Sequence, residues 1–411
     1  MTRAVPDGAA PTTHAHPLRH TPSGRELHFL PGNRITLLQN GTEYFPALEQ
    51  AFDQAQHEIS LETYIYEDDT TGRRIAAALM RAAQRGVTVR VLLDGFGSKD
   101  LPQTRIEEMR EAGVQLLHFR PEIARWKLRR HRLRRLHRKL VVVDGRLAFV
   151  GGINIINDLD TPGHTPPRFD YAVAVEGPLL AHICPVVTRL WALVTWTHFR
   201  QRWGRGSAAV SAAVCGDKRA AFVVRDNLRH RRAIEDAYLD AIAAAQSEII
   251  IANAYFLPGV NFRHALVDAA ARGVRVTLLL QGRVEYLLLH YASRALYGSF
   301  LAAGIEIQEY HRSFMHAKVA VIDGRWATVG SSNIDPFSLL LSREANVVVD
   351  DPGFSGQLRD SLAHAMAEGA RPIQSAQWKQ QPLALRLLSW FSYGAVRFLM
   401  GMVGYGRESR R

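Results

Sequence analysis

The feature that most constrains the fold is an internal duplication within the chain of 411 residues. Each half carries a Gln-x-Glu-Ile segment, then an Ala-rich segment with Arg-Gly-Val, then Ala-Gly-Val or Ala-Gly-Ile. The first copies lie at residues 56–59, 82–89 and 112–114, and the second copies at residues 246–249, 270–276 and 303–305. Because order and spacing both match, we infer a tandem repeat, each half being long enough to bury its own core.

The periodicity of apolar residues predicts alternating helices and strands in each repeat. Predicted helices cover residues 45–56, 75–84, 231–246 and 262–271, and predicted strands cover residues 59–65, 87–93, 249–254 and 274–280. Gly86 and Gly273 end two of the helices, at the left-handed position that glycine favours. Near-continuous apolar strands are typical of a sheet covered on both faces, so the predicted fold is α/β, with a mixed sheet flanked by helices in each repeat.

The matches define the expected organisation of the chain. Residues 25–205 form the first repeat and residues 206–370 the second. Residues 1–24, rich in Pro, Thr, His and Gly, are expected to be a disordered tail. Residues 120–139 form a basic insert in the first repeat with ten Lys or Arg, and residues 371–411 form a separate C-terminal tail.

A fourth match carries the candidate chemistry, because both repeats contain the pattern H-x-K-x4-D-x6-G-[GS]-x-N. Residues two apart in a strand share a face, so each His projects beside its Lys. The Asp-Gly pair predicts a type I′ hairpin turn, after which the returning strand carries the Asn back beside the His and Lys. The residues are His137, Lys139, Asp144 and Asn154 in the first repeat, and His316, Lys318, Asp323 and Asn333 in the second.

Two such hairpins facing each other across a pseudo-twofold axis suit phosphodiester chemistry. Two lysines and two asparagines can hold the non-bridging oxygens of one phosphate. One imidazole can attack phosphorus while the other protonates the leaving oxygen and then activates the acceptor hydroxyl. Because the lysines supply the positive charge that a metal would supply, we expect no metal and no other cofactor.

The duplicated H-x-K-x4-D pattern resembles the phospholipase D superfamily, and the longer context is similar to its cardiolipin synthase B branch. The similarity runs from about residue 31 to residue 351. It rests on Gly41–Phe45, Leu61–Tyr66, Arg225–Asn227, Asn253–Pro258 and Val329–Pro336. The resemblance implies phosphatidyl or phosphodiester transfer through a phosphohistidine intermediate, with the active site at the interface of the repeats.

The resemblance also implies roles for individual residues. The six His, Lys and Asp residues of the two motifs are the candidate catalytic set, within which Asp144 and Asp323 are expected to brace turns rather than contact substrate. The implied substrate-binding residues are Asn154, Asn333 and Ser331.

Two acidic residues are implied to orient the histidines. Each His is expected to be held by an acidic residue of its own repeat, Asp170 in the first and Glu344 in the second. Such a carboxylate would fix the tautomer of the imidazole and raise its pKa. Gly152 departs from the Ser that is more frequent at that position, and which Ser331 retains. Which His is the nucleophile is left open.

The charge of the chain favours an anionic partner, either nucleic acid or a lipid surface. Lys and Arg total 51 against 39 Asp and Glu, for a net charge of +12. Superfamily nucleases usually carry one motif per chain and dimerise, whereas this chain carries both motifs. The basic insert also interleaves its charges with apolar residues, a pattern suited to a membrane interface: Ile123, Trp126, Leu128, Leu133 and Leu136.

The favoured reaction is therefore phosphatidyl transfer between two phosphatidylglycerols with release of glycerol. Phosphatidylethanolamine as donor, a hydrolase or nuclease activity, and an inactive scaffold are the alternatives. The expected partners are phospholipid substrates and an anionic membrane surface, with no nucleic acid, and the oligomeric state is left open. With only Cys184 and Cys215, the chain favours a reducing compartment. We expect peripheral association with the cytoplasmic face of a bacterial inner membrane.

The C-terminal tail offers a candidate membrane contact at residues 383–405, which are predominantly apolar. Arg386 and Arg397 are eleven residues apart and share one face of a helix. A spanning orientation would bury Arg397 near the bilayer centre, at roughly 2.5–3.5 kcal/mol. An interfacial helix is therefore favoured over a spanning one, and a helix packed on the catalytic core is the alternative. The residues that fit an anchor are Trp390, Phe391, Arg407, Arg410 and Arg411.

Overall fold

The structure is a computed structural model that describes residues 27–120, 134–161, 165–197, 209–226, 230–284, 287–335, 338 and 342–402. The predicted N-terminal tail and most of the basic insert lie outside these residues, as do several of the residues proposed for membrane contact: Ile123, Trp126, Leu128, Leu133, Arg407, Arg410 and Arg411.

The first repeat alternates strands and helices and then closes with three antiparallel strands. Its elements are β1 (Leu30–Gln39), α1 (Asn40–Gln54), β2 (Glu58–Thr63), α2 (Thr70–Gln84), β3 (Thr88–Asp94), α3 (Gln103–Glu111), β4 (Gln115–Phe119), β5 (Arg135–Leu136), β6 (Lys139–Val143), β7 (Leu147–Gly151) and β8 (Tyr171–Glu176). Helix α4 (Leu180–Thr197) leads towards the second repeat.

The second repeat follows the same order of strands. Its elements are β9 (Lys218–Arg225), α5 (Ala233–Ala244), β10 (Glu248–Asn253), α6 (Val260–Ala271), β11 (Arg275–Gln281), α7 (Leu287–Arg294), α8 (Tyr297–Ala302), β12 (Glu306–Tyr310), β13 (Lys318–Ile322), β14 (Trp326–Gly330) and β15 (Ser342–Asp350). The chain continues through α9 (Pro352–Gly369), β16 (Ala370–Pro372), α10 (Ser375–Lys379) and α11 (Leu383–Met402).

The strands form one mixed sheet in the order β16-β12-β11-β10-β13-β14-β15-β9-β1-β8-β7-β6-β2-β3-β4. Strand β5 lies off this path and pairs with β15. Apart from β5 and β16, each strand of the first repeat has its counterpart at the mirrored position of the second, on either side of the β9–β1 boundary. Within each repeat β2, β3 and β4, or their counterparts, are parallel, and the remaining pairs are antiparallel. The predicted fold class, tandem α/β repeats about a pseudo-twofold axis, is confirmed.

The two halves of the sheet pack against each other through one shared hydrophobic core. Val142 and Val150 of the first repeat belong to the same buried cluster as Val321 and Val329 of the second. Side chains alternate along a strand, so Val141 faces the opposite way, into a core covered by α1, α2 and α3. A third core lies under the helices of the second repeat. The result is two central sheet layers between two helical layers, which places both motif hairpins at the interface.

The two Asp-Gly hairpins adopt the predicted conformation. Asp144 and Gly145 have φ of 51° and 61°, and Asp323 and Gly324 have φ of 51° and 60°, as a type I′ turn requires. The carboxylate of Asp144 accepts backbone N–H bonds from residues 56, 57 and 58 at 2.7–2.8 Å. Asp323 does the same for residues 246, 247 and 248 at 2.8–3.0 Å. Both carboxylates therefore tie the hairpin to the preceding loop, which agrees with a bracing role.

The C-terminal segment is less separate than the predicted boundary at residue 371 implies. Strand β16 pairs with β12, with Gln308 opposite Pro372. Helix α11 lies against α7 and buries Ser389, Ser392 and Val396. Among the described residues, the structure contains no helix with the length and apolar character needed to cross a membrane.

A buried ion pair distinguishes the first repeat from the second. Arg138 lies between the motif His and Lys and binds Glu62 of β2, both side chains being almost fully buried. The corresponding positions of the second repeat are Ala317 and Ala252, as the strand registers show. The same backbone thus carries an ion pair in one repeat and two small apolar residues in the other.

Replacing Glu62 tests this difference. Glu62→Ala should destabilise the protein by about 3–5 kcal/mol, because it leaves the Arg138 guanidinium buried without its carboxylate. Glu62→Ala/Arg138→Ala, which installs the residues of the second repeat, should be markedly more stable than the single variant. Urea unfolding measures both. Glu176→Ala, which breaks the exposed pair with Arg34, is the control and should cost about 1 kcal/mol or less. A double variant no more stable than Glu62→Ala would contradict this account.

Candidate active site

The two motif histidines are positioned by an exchange of backbone between the repeats. The N–H of His137 donates to the carbonyl of Arg343 at 3.0 Å, and β5 extends the start of β15 in parallel. In the mirrored arrangement, the N–H of His316 donates to the carbonyl of Phe169 at 2.8 Å. Residues 343 and 169 immediately precede the two acidic residues Glu344 and Asp170. Each motif segment is therefore added to the strand that carries the acidic residue of the other repeat.

The histidines are consequently paired across the repeats. Nδ1 of His137 lies 3.0 Å from Oε1 of Glu344. Nδ1 of His316 lies 2.7 Å from Oδ2 of Asp170. The prediction that each His is held by an acidic residue of its own repeat is wrong. The prediction fails because each motif segment pairs with backbone of the other repeat, and this pairing brings together segments that are far apart in the chain.

Each carboxylate lies within hydrogen-bond distance of Nδ1 of its imidazole, and in a neutral ring that donates its Nδ1–H to the carboxylate the lone pair is on Nε2. Nζ of Lys318 lies 2.8 Å from the same Nδ1 of His316. Burial lowers the pKa of His316 to about 3, Lys318 lowers it further, and Asp170 opposes the shift. Asp170 does raise the pKa of His316, as expected, but burial of the cation and Lys318 outweigh it, so the pKa is lowered overall. At pH 7 this ring is neutral.

The two motif lysines are buried beside the histidines. Nζ of Lys139 donates to the carbonyl of His137 at 2.7 Å. Nζ of Lys318 donates to the carbonyl of His316 and lies 3.7 Å from Asp170. Burial lowers the pKa of Lys139 to about 7, with Glu344 opposing and Lys318 adding to the shift. The cations of the two repeats therefore act on each other within one site.

Tyr64 contacts this site, although sequence reasoning gave it no role. Its ring centroid lies 4.8 Å from that of His137, and Nζ of Lys139 lies 5.4 Å from the ring. Tyr64 directly follows β2, and the corresponding residue after β10 is Ala254. The sequence feature that could have revealed Tyr64 is an aromatic residue at the end of a buried strand, within the segment Leu61–Tyr66 that resembles the family. The site is thus asymmetric around its two histidines.

The departure at Gly152 has a steric cause. A Cβ at this position would lie 2.3 Å from Oδ1 of Asp170, so only glycine allows the carboxylate to reach His316. At the equivalent position, the hydroxyl of Ser331 donates to Oε2 of Glu344 at 2.5 Å and accepts the N–H of Ala345 at 3.1 Å. In the second repeat a serine hydroxyl holds the carboxylate of Glu344. In the first repeat the absence of a side chain at Gly152 leaves room for the carboxylate of Asp170.

The three predicted substrate-binding residues differ in the hydrogen bonds that they make. Ser331 is fully buried and its hydroxyl donates to Glu344, a contact that helps to orient this carboxylate, and its substrate-binding role stays a prediction. Oδ1 of Asn154 accepts the N–H of Ile65 at 3.1 Å. Asn333 is buried at the matching position, and its Oδ1 has no hydrogen-bond partner among the described residues.

The described end of the basic insert is part of the protein interior. Leu136 is fully buried with α4 residues such as Trp191, which contradicts its predicted place in an interfacial surface. Arg135 lies 3.9 Å from the buried Asp94, and Arg138 is paired with Glu62. In the described part of the insert, these two charges therefore lie beside carboxylates of the protein itself.

The fold and the site together define a class of protein: a two-repeat enzyme with paired histidine–lysine motifs for transfer at a phosphodiester. Comparison with known proteins agrees. The chain matches the family described as cardiolipin synthase with a phospholipase D-like domain, over residues 48–158 and 238–366.

Relatives of established name extend over almost the whole chain. It is 40% identical to cardiolipin synthase B of Shigella flexneri, over 91% of this chain and 90% of the relative. It is 39% identical to cardiolipin synthase B of Escherichia coli strain K12, with the same coverage. A probable cardiolipin synthase of Bacillus subtilis is 31% identical, over 78% of this chain and 63% of that protein. The chain belongs to the phospholipase D-like cardiolipin synthase family and is a phospholipid transferase.

A solved structure shares the fold. Phosphatidylserine synthase of Haemophilus influenzae superposes with a TM-score of 0.69, covering 92% of this chain and 97% of that one, at 14% identity. Polyphosphate kinase of Porphyromonas gingivalis is more distant, with a TM-score of 0.56 and coverage of 90% and 53%. At such low identity both comparisons support the fold alone.

The space at Gly152 can be tested by filling it. Gly152→Ser should displace the Asp170 carboxylate from His316, and a displacement of about 1 Å can lower turnover on the order of 10²-fold. Gly356→Ser is the matched control, because a Cβ at Gly356 meets nothing within 4 Å. Turnover and thermal unfolding should be measured on both. Full activity in Gly152→Ser would show that this carboxylate is not needed where the structure places it.

The pKa of Lys139 generates a prediction about pH. The ammonium carries its charge below a pKa of about 7 and loses the charge above it. Because kcat/KM reports the free enzyme, it should decline as pH rises through about 7. Lys139→Arg keeps its charge throughout this range, so whatever activity that variant retains should lack the alkaline decline. The same alkaline decline in Lys139→Arg would assign it to another group.

Proposed function

We propose that this enzyme transfers a phosphatidyl group from one phosphatidylglycerol to a hydroxyl of another, forming cardiolipin and releasing glycerol. The observation that carries the proposal is the paired centre, in which each motif His is held by a carboxylate of the other repeat beside a buried Lys. The relatives named cardiolipin synthase B, at about 40% identity over 91% of the chain, support the choice of substrate.

The proposed reaction has two balanced steps. In the first, Nε2 of one neutral His attacks phosphorus, the bond from phosphorus to the glycerol headgroup breaks, and the other His, which starts as the imidazolium, donates its Nε2 proton to the departing oxygen. In the second, that His takes the proton from the acceptor hydroxyl, whose oxygen attacks phosphorus and breaks the bond to nitrogen. Lys139 and Lys318, with Asn154 and Asn333, are proposed to bind the non-bridging oxygens and stabilise the developing charge.

We further propose that α11 contacts the membrane surface. The helix buries Ser389, Ser392 and Val396, whereas its largest apolar side chains face outward, with Trp390 58% and Phe391 74% exposed. Trp and Phe on an exposed helix with flanking Arg suit the interface of an anionic bilayer. This fits peripheral association, for which the cytoplasmic face of a bacterial inner membrane remains our prediction.

The substrate assignment can be tested with purified protein and labelled phosphatidylglycerol. Thin-layer chromatography should show cardiolipin and free glycerol, and a DNA-nicking assay on the same sample should show no cleavage. Phosphatidic acid as the main product would instead indicate hydrolysis, with water as acceptor. DNA nicking without any lipid product would overturn the proposal.

The histidine roles generate a separate prediction. His137→Ala and His316→Ala should each abolish turnover, since one ring forms the phosphoenzyme and the other moves the proton. Only one of the two variants should still accumulate covalent phosphoenzyme from labelled substrate, and it identifies the other His as the nucleophile. His364→Ala, an exposed His on α9 paired with Glu368, is the control and should retain activity. Equal trapping in both motif variants would contradict fixed roles.

A further inference from the structure

A second cavity lies in the helical layer of the second repeat, among elements that do not contribute to the histidine site. Its volume is about 410 Å³. It is enclosed by α6, by the turn between α7 and α8, and by α10 and α11. The lining includes three arginines, two tryptophans and two other polar side chains: Arg263, Arg294, Arg386, Trp378, Trp390, Gln381 and Ser389.

The arginines of this cavity differ in how they are held. Arg294 donates to Glu309 at 2.6 Å and stacks over Trp378 at 5.1 Å, so its position is fixed. Nε of Arg263 is buried and has no hydrogen-bond partner among the described residues. Arg386 is exposed on α11 at the edge of the cavity. The lining residues thus include three arginines and no carboxylate, and they contain one buried donor, Nε of Arg263, without a partner among the described residues.

Exposed apolar side chains lie on the helices that border the cavity. Trp390 lines the cavity and is also 58% exposed, and it precedes the exposed Phe391 on α11. Helix α7, which packs along α11, exposes Leu287 by 66% and Leu288 by 40%. A cationic cavity lined by an exposed Trp, on helices with further exposed apolar side chains, matches the two parts of an anionic phospholipid, a phosphate headgroup and acyl chains.

We propose that this cavity binds the headgroup of an anionic phospholipid whose acyl chains remain in the bilayer, at a second site apart from the histidine centre. Arginine is suited to phosphate because its fork of N–H donors can bind two oxygens at once. The indole of Trp390 would lie at the level of the headgroups, where Trp is favoured. The proposal rests on the proposed membrane function, and it gives the enzyme a defined orientation on an anionic surface.

The experiment uses the full chain and vesicles of phosphatidylcholine, with and without phosphatidylglycerol. Sedimentation is measured for Arg263→Gln and Arg386→Gln, with Arg397→Gln as the matched control. Arg397 lies on α11 as well, but it stacks on Tyr393 and does not line the cavity. All three variants lose one charge. At about 0.5 M salt, where the Debye length is about 4 Å, general attraction to the surface is largely screened.

The two cavity variants should bind phosphatidylglycerol vesicles about tenfold more weakly than the wild type, and Arg397→Gln within about twofold of it. Equal losses of vesicle binding in all three variants would show that only the overall charge of the protein matters, and they would overturn the proposed site. Saturable binding of free sn-glycerol 3-phosphate by the wild type, abolished in Arg386→Gln, would overturn the lipid assignment. Arg386→Gln should form cardiolipin at the wild-type rate from dispersed short-chain phosphatidylglycerol. If the wild type itself forms none, the proposed function fails, while the vesicle comparison still tests the cavity.

Discussion

The candidate site depends above all on one backbone arrangement, the addition of each motif segment to the acidic strand of the opposite repeat. Two main-chain hydrogen bonds, from His137 to Arg343 and from His316 to Phe169, bring each imidazole beside a carboxylate of the other half. Neither repeat alone can assemble a held histidine. The duplication is therefore a requirement of the site, and the shared core that packs the two sheets together also sets the geometry of the paired centre.

Features determined by neighbouring residues could be predicted from the sequence, and those determined by the packing of the repeats could not. The Asp-Gly turns and the left-handed Gly86 and Gly273 follow from local backbone preferences, and the structure has φ of 90° and 91° at those two glycines. The pairing of Asp170 and Glu344 with the histidines depends on contacts 146 and 207 residues apart in the chain. The spacing of residues within one repeat gives no information on which side chains of the other repeat they will contact.

The two repeats share a backbone fold but place different side chains around their motif residues. The ion pair of Arg138 with Glu62, the ring of Tyr64 and the space at Gly152 all belong to the first repeat or to the carboxylate that it supplies. Two-step transfer requires different roles of its two histidines, because one is the nucleophile and the other carries the proton. Divergence between the halves provides different environments for the two rings, and the pseudo-twofold fold brings both motifs to one interface.

The C-terminal helix shows how far an amphipathic pattern determines a function. The sequence indicates an apolar helix but not which side faces the protein, because large apolar residues are most often core. In the structure α11 buries Ser389, Ser392 and Val396 and exposes Trp390 and Phe391. Small residues allow the helix to approach α7 closely, so it is held by the fold without using its largest apolar side chains. Those side chains then remain beside a cationic cavity, an arrangement that packing alone does not require and that the proposed contact with an anionic bilayer would explain.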